Sequence, residues 1–122
     1  MCDRKILTTE HDPPVFLILP EGEVGGFASE QVSLEVDDVL GEMDELAAKY
    51  VVVDFCQVSF FGSCLLAAIQ RIYKHLNRIG GVLAICNVSE VGREVLHVSR
   101  FDELWQIYET REDAKNGLGG QM

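Results

Sequence analysis

The residues best suited to chemistry stand together at Gly62, Ser63 and Cys64, between an apolar run and an amphipathic stretch. Gly62 permits a tight turn, and Ser63 falls where a helix is predicted to begin. The first N–H groups of a helix are unpaired and carry the positive end of its dipole, so they accept a phosphate well. Ser63 therefore has two interpretations: it caps the helix, or it is a phosphorylation site that gains about −1.5 to −2 charges.

Cys64 offers a different chemistry, because a helix N-terminus lowers the pKa of a thiol and favours the reactive thiolate. The sequence places no base beside it, and His75 lies about three turns further along the predicted helix. A small apolar residue at a packed helix start is the competing explanation. Labelling with a thiol reagent distinguishes the two.

The cysteines and histidines do not indicate a metal site. The four cysteines form no C-x-x-C pair and stand among apolar neighbours, so we expect reduced, mostly buried thiols. Zinc requires closely spaced ligands, whereas the three histidines are scattered. No glycine-rich phosphate loop of the Walker type is present, and we expect neither a metal nor a cofactor.

Acidic residues are concentrated in one part of the chain, which has a net charge of −10. Residues 21–45 contain nine Asp and Glu and no Lys or Arg, while the remainder has eleven acidic and ten basic residues. This balance argues against binding to nucleic acid or anionic lipid, because both attract clustered Lys and Arg. The segment is either the solvated face of a helix or a docking surface for a basic partner.

Length and hydropathy predict one soluble domain over residues 1–122, since domains usually have about 100–150 residues. The longest apolar run, Cys64–Ile69, is far shorter than the roughly 20 residues of a membrane-spanning helix. Residues 1–5 precede no apolar stretch of the signal-peptide kind. We therefore expect a cytoplasmic protein without direct membrane insertion.

Alternating strand and helix patterns predict a small α/β domain with four or five strands and three or four helices. Strands are expected at residues 4–10, 15–19, 50–55, 82–86 and 104–108. Helices are expected to begin near Ser29, Ser63 and Ser89 and to cover residues 111–116, with a frayed tail at residues 117–122.

Three of the predicted helices carry apolar residues at spacings of three and four. These inward stripes are Val32, Val36, Val39, Met43 and Leu46; then Leu65, Ile69, Ile72, Leu76 and Ile79; and finally Val91, Val95 and Val98. Arg71, Lys74 and Arg78 form a basic stripe on the second helix, which is either a solvated face or a small binding surface.

The order of several segments resembles the STAS domain of bacterial anti-sigma factor antagonists, a domain also found attached to sulfate transporters. The similarity covers about residues 14–116. The similar segments lie at 51–55, 58–66, 78–83, 87–89, 95–96, 101–104 and 112–114. They include an apolar strand and turn, a serine at a helix start, a helix end with the next strand, and a terminal helix. The resemblance implies a four- to five-stranded mixed sheet with helices packed mainly on one side.

The resemblance also implies a binding switch in transcription regulation and not an enzyme. Antagonists of this family bind an anti-sigma factor that is a serine kinase, which phosphorylates the serine at the helix start and weakens the complex. Ser63 matches that serine. The implied partner-binding residues are Gly22, Glu23, Gly25, Gly62, Ser63, Cys64, Leu66 and Arg71. We expect a monomer or a weak dimer.

The chain departs from the family pattern around this serine. Gly62 replaces the usual preceding acidic residue, and Gly25 falls where a second one usually stands. Cys64 and Leu65 replace a hydroxyl residue and a glycine. These changes leave an alternative function open, a non-phosphorylated STAS scaffold or accessory subunit in a stress-signalling or lipid-transport complex.

Overall fold

The computed structural model describes residues 7–21, 29–58 and 63–119. Within these residues five strands form one mixed sheet in the order β1-β2-β3-β4-β5, in which only β1 and β2 pair antiparallel. The elements are β1 (Leu7–Asp12), β2 (Val15–Pro20), α1 (Ser29–Leu46), β3 (Tyr50–Asp54), α2 (Ser63–Ile79), β4 (Val82–Cys86), α3 (Glu90–Val98), β5 (Gln106–Tyr108) and α4 (Arg111–Gly119). The predicted α/β class is confirmed.

A proline turn joins the first two strands. Pro13 and Pro14 lack the N–H that a ladder requires, so pairing stops at Asp12 and Val15, and their mutual peptide bond is cis. The first strand therefore ends at Asp12, two residues beyond the predicted end at residue 10, while residues 4–6 of the predicted strand lie outside the described part of the chain.

Helices cover both faces of the sheet, as the apolar sequences of β2, β3 and β4 require. On the main face, α1, α2 and α3 pack against alternate strand residues that include Phe16, Val51 and Ile85. On the other face, Ala114 and Leu118 of α4 cover the intervening residues, such as Val52 and Ala84. The prediction that the helices pack mainly on one side is confirmed.

The inward stripes of α1 and α2 are buried over most of their length, from Val32 to Met43 and from Leu65 to Leu76. Their last members, Leu46 and Ile79, are exposed at the ends of the two helices. The stripe predicted for α3 is only partly correct: Val95 packs against the core, but Val91 and Val98 are exposed, whereas Gly92 and Leu96 are buried.

The C-terminal part differs from the sequence prediction at two places. A short 3-10 helix at Phe101–Glu103 precedes β5, which is confined to Gln106–Tyr108, so Leu104 is exposed and outside the strand. Helix α4 continues to Gly119 with Leu118 buried, whereas we expected a frayed tail from residue 117. Leu118 packs against the buried strand residues on the α4 face of the sheet, and this packing extends the helix.

Candidate functional site

The predicted switch position lies at the carboxyl edge of the parallel strands. Asp54, Cys86 and Tyr108 end β3, β4 and β5 at the same level of the sheet. Helix α2 begins at Ser63 after the segment that leaves β3. Its first turn contains no acidic residue, and Arg78 lies in its last turn. The helix dipole at this end is therefore not neutralised by a carboxylate of α2.

Several predicted partner-binding residues lie outside the described part of the chain. These are Gly22, Glu23, Gly25 and Gly62, together with the side chains of Ser63 and Cys64. The structure describes the backbone of α2 from Ser63 onward. The grouping of these residues into one surface stays a prediction.

The two remaining predicted contact residues have opposite environments. Leu66 is only 9% exposed and packs in the main core, so it stabilises α2 and is not available to a partner, contrary to our expectation. Arg71 is exposed on α2, where it forms an ion pair with Asp37 of α1 and donates a hydrogen bond to Ser33 Oγ at 3.3 Å.

A buried carboxylate fixes the start of the segment that leads from β3 to Ser63. Asp54 is 2% exposed. Its Oδ1 accepts hydrogen bonds from Cys56 N and Asn87 Nδ2, both at 2.9 Å, and its Oδ2 accepts one from Arg111 Nε at 2.8 Å. Asp54 therefore joins the segment after β3, the segment after β4 and the first residue of α4.

Hydrogen bonding keeps Asp54 ionised despite its burial. Desolvation alone would raise the pKa of Asp54, but the bonds from Asn87, the Cys56 amide and Arg111 outweigh it, so the pKa lies below its ordinary value. Asn87 reaches the carboxylate from a left-handed backbone conformation with φ 56°, which asparagine tolerates better than most residues. Sequence reasoning missed this cluster, because Arg111 is remote from Asp54 along the chain.

The two cysteines described in full have thiol pKa values above the ordinary value. Burial raises the pKa of Cys86 to about 12. Burial and the neighbouring Asp54 carboxylate also raise the pKa of Cys56, which is exposed, contrary to the expectation of mostly buried thiols. Raised pKa values leave little thiolate at neutral pH.

The acidic segment is divided among three environments. Glu35 is fully buried, where it accepts hydrogen bonds from Leu7 N at 2.9 Å and Gln31 Nε2 at 2.6 Å, and thereby fixes α1 to β1. Asp37 and Asp44 face α2, and Asp44 contacts His75 at 2.9 Å. Glu30 and Glu45 are exposed. The segment is thus not a uniform solvated face.

Residues 7–21, 29–58 and 63–119 show neither a metal site nor a membrane-spanning helix. Within those ranges no group of three or more His, Cys, Asp or Glu side chains is placed to hold a metal ion. None of the helices in the same ranges is both long and apolar enough to span a bilayer.

Comparison with known proteins identifies the family. The STAS domain model matches residues 7–114, which is most of the chain. The chain belongs to the STAS domain family. Its matched range begins at β1, so the family domain starts earlier than the expected residue 14.

Relatives of this STAS domain carry regulatory names. It is 25% identical over 109 residues to the anti-sigma F factor antagonist of Paenibacillus polymyxa, covering 89% of this chain and 91% of the relative. An anti-sigma-factor antagonist STAS protein of Planctomyces limnophilus matches with a TM-score of 0.68 and 25% identity, over 94% of this chain and 99% of that one. The phosphorylated Bacillus cell fate determinant SpoIIAA matches with a TM-score of 0.70 and 18% identity, over 92% and 98%. The resemblance inferred from the ordered segments is confirmed.

Proposed function

We propose that this STAS domain is an anti-sigma factor antagonist that binds an anti-sigma factor with serine kinase activity and is released when Ser63 is phosphorylated. The observation that carries the proposal is the position of Ser63 at the first residue of a 17-residue helix whose first turn has no carboxylate. A phosphate at this position is favoured by the free N–H groups and the helix dipole.

The surroundings of Ser63 support a switch that acts at a surface without unfolding the domain. Leu65 and Ile69 hold the first turns of α2 in the main core, and Asp54 fixes the preceding strand end. Phosphorylation would therefore change the charge of the surface while the helix stays packed. A partner that fits the neutral surface would lose affinity by repulsion and desolvation of the phosphate.

A relative supplies independent support for a phosphorylated state. SpoIIAA of Bacillus shares the fold and is known in a phosphorylated form. The anti-sigma F factor antagonist of Paenibacillus polymyxa is the relative whose name states the partner class. For this chain we propose the same class of partner, an action in the cytoplasm, and no catalytic activity of its own.

The test is capture of the cognate anti-sigma kinase by purified variants. Ser63→Ala is expected to bind like the wild type and Ser63→Asp to bind at least about tenfold more weakly, which is the effect of about 1.4 kcal/mol. Incubation with the kinase and ATP should release the wild type and leave Ser63→Ala bound. Equal binding by both variants would refute the switch.

A matched control separates phosphorylation from helix capping. Ser89 accepts a hydrogen bond from Gly92 N at 3.1 Å and caps α3. Ser89→Ala should lower stability by about 1 kcal/mol, the usual cost of a lost cap, without altering kinase release. Ser63→Asn keeps a polar side chain of similar size but has no hydroxyl, so it should bind the kinase and resist release.

A second candidate is a non-phosphorylated scaffold or accessory subunit in a stress-signalling or lipid-transport complex. It is favoured by Gly62, which stands where the family usually has an acidic residue before the serine. Copurification from native extract separates the candidates. A large symmetric assembly or a transporter ATPase, with Ser63 unmodified by mass spectrometry, would support the scaffold, whereas a kinase with phosphorylated Ser63 would support the switch.

A further inference from the structure

Helices α1 and α2 lie side by side with opposite charges on their outer faces. The exposed charged residues of α1 are all acidic: Glu30, Asp37, Asp44 and Glu45. Those of α2 are all basic, namely Arg71, Lys74 and Arg78, and its sequence contains no Asp or Glu. One surface of the molecule thus carries an acidic strip next to a basic strip.

The contacts between the two helices set their relative direction. Asp37 pairs with Arg71, and further along both helices Asp44 contacts His75. The pairs follow in the same order along both helices, so α1 and α2 run parallel. Each strip therefore lies beside the other along much of its length.

The internal pairs leave part of the basic strip unused. Lys74 and Arg78 form no ion pair with any residue in the described ranges. Together with Leu40, Arg71 and Asn77 they line a surface groove of about 450 Å³ between the helices. The groove presents two cations without an ion-pair partner in the described ranges, beside a single apolar side chain, Leu40.

We propose that this face binds a second copy of the same chain, around a two-fold axis parallel to α1 and α2. Such an axis places α1 of one copy on α2 of its partner at the same level, so acidic residues meet basic residues twice. A two-fold axis across the helices would instead place acid on acid and base on base. Charge complementarity therefore selects one geometry.

Gly41 provides an independent indication of a close approach. It lies in the middle of α1, next to Leu40, where glycine weakens a helix relative to alanine. No atom of the described residues lies within 4 Å of a Cβ built at this position, so packing within those residues does not require glycine. In the proposed dimer, the absence of a side chain at Gly41 would let α2 of the partner approach α1 closely.

The inference is independent of the proposed switch, because self-association requires only the purified chain. Sedimentation equilibrium should give a dissociation constant below about 1 mM at roughly 0.1 M ionic strength, where a screening length of about 10 Å weakens the long-range repulsion between two chains of net charge −10. At about 1 M, where the screening length falls to about 3 Å, dimerisation should weaken at least about tenfold because the close charge pairs are then screened as well. A monomer up to about 1 mM at roughly 0.1 M ionic strength would overturn the proposal and leave the Ser63 switch untouched.

Charge reversal tests the geometry. Lys74→Glu with Arg78→Glu, and separately Asp44→Lys with Glu45→Lys, should each weaken self-association by more than about tenfold. Equimolar mixing of the two double variants should restore wild-type affinity, because acid then meets base on both sides of the axis. Failure of the mixture to associate, with both variants folded by circular dichroism, would refute this arrangement.

Substitution at Gly41 tests the close approach without changing charge. Gly41→Trp should raise the dissociation constant of the dimer at least about tenfold. Gly41→Ala should keep the fold and dimerise measurably more than Gly41→Trp. Full dimerisation of Gly41→Trp would place the contact elsewhere and overturn the proposal.

Discussion

The Asp54–Arg111 ion pair and the Asp37–Arg71 ion pair between α1 and α2 use the same side-chain chemistry in opposite surroundings. Asp54 is almost completely buried, and its partners come from three different parts of the chain. The Arg71–Asp37 pair is exposed, with 43% and 60% of the two side chains accessible to solvent. Removing a partner from a buried charge is costly, while water replaces an exposed partner at little cost.

This difference separates a structural region of the STAS domain from a region available for binding. The Asp54 cluster anchors α4 and the segment that leads to Ser63. The charged strips on α1 and α2 contribute little to folding and can therefore exchange partners. Substitutions in the two regions should consequently affect different measurements, stability in the first and association in the second.

The largest effect is expected for Arg111→Ala, which leaves the buried Asp54 carboxylate without its cationic partner. We expect a loss of about 3 kcal/mol in the free energy of unfolding. Urea unfolding followed by the fluorescence of Trp105, the single tryptophan, measures it. Lys115→Ala is the matched control. Lys115 lies on α4 one turn after Arg111, and it pairs with the exposed Asp12 of β1. Equal losses in the two variants would remove the distinction between buried and exposed pairs.

Asp54→Asn should lower the free energy of unfolding by about 2 kcal/mol at pH 7, and it should change how that free energy depends on pH. The folded-state pKa of Asp54 is below that of the unfolded chain. Its ionised form therefore stabilises the fold above the unfolded pKa, near 3.9, and this contribution disappears as the pH falls through the folded-state value. The difference between wild type and variant should shrink from about pH 5 downward, as measured by urea unfolding at each pH. A constant difference would contradict the assignment.

Asn87→Gly should cost about 1.5 kcal/mol through loss of the hydrogen bond to Asp54. Glycine adopts the left-handed backbone of this position without strain, so this variant removes the amide and also the backbone strain of the asparagine Cβ. Asn87→Ala keeps a Cβ and removes the amide, so it should cost about 1 kcal/mol more than Asn87→Gly. Thermal unfolding compares the three proteins, and identical stability of wild type and Asn87→Ala would exclude a role for the amide.

The smallest effect is expected for Arg71→Ala, which removes an exposed pair and should change the free energy of unfolding by less than about 0.5 kcal/mol. The same variant should weaken capture of an anti-sigma kinase if Arg71 contacts it. Urea unfolding and kinase capture on one preparation separate the effects. A stability loss as large as that of Arg111→Ala would make Arg71 a structural residue.

Local patterns predicted the elements whose burial follows their own periodicity. The stripes of α1 and α2 are buried from Val32 to Met43 and from Leu65 to Leu76, as their spacing indicated. The prediction for α3 was correct for Val95, which packs against the core, and wrong for Val91 and Val98, because the helix turns Leu96 inward instead. A nine-residue helix has too few turns for spacing alone to select the buried face.

The candidate site was predictable only where a residue's role depends on its neighbours in sequence. Ser63 and the start of α2 follow from the change between an apolar strand and an amphipathic helix. Leu66 was assigned to the surface because a family resemblance does not show which way a side chain points, and it is buried. Asp54 and Arg111 were missed because 57 residues separate them.

By itself, the sequence determined the α/β class, the family, the limits of the long helices and the segment that carries most of the negative charge. Hydrophobic periodicity, helix-capping residues and the order of segments are encoded locally. Only the tertiary structure decided that Glu35 is buried against β1, that Asp54 and Arg111 meet, and that acidic α1 lies beside basic α2. These contacts join residues distant along the chain, and the folding of the sheet brings them together.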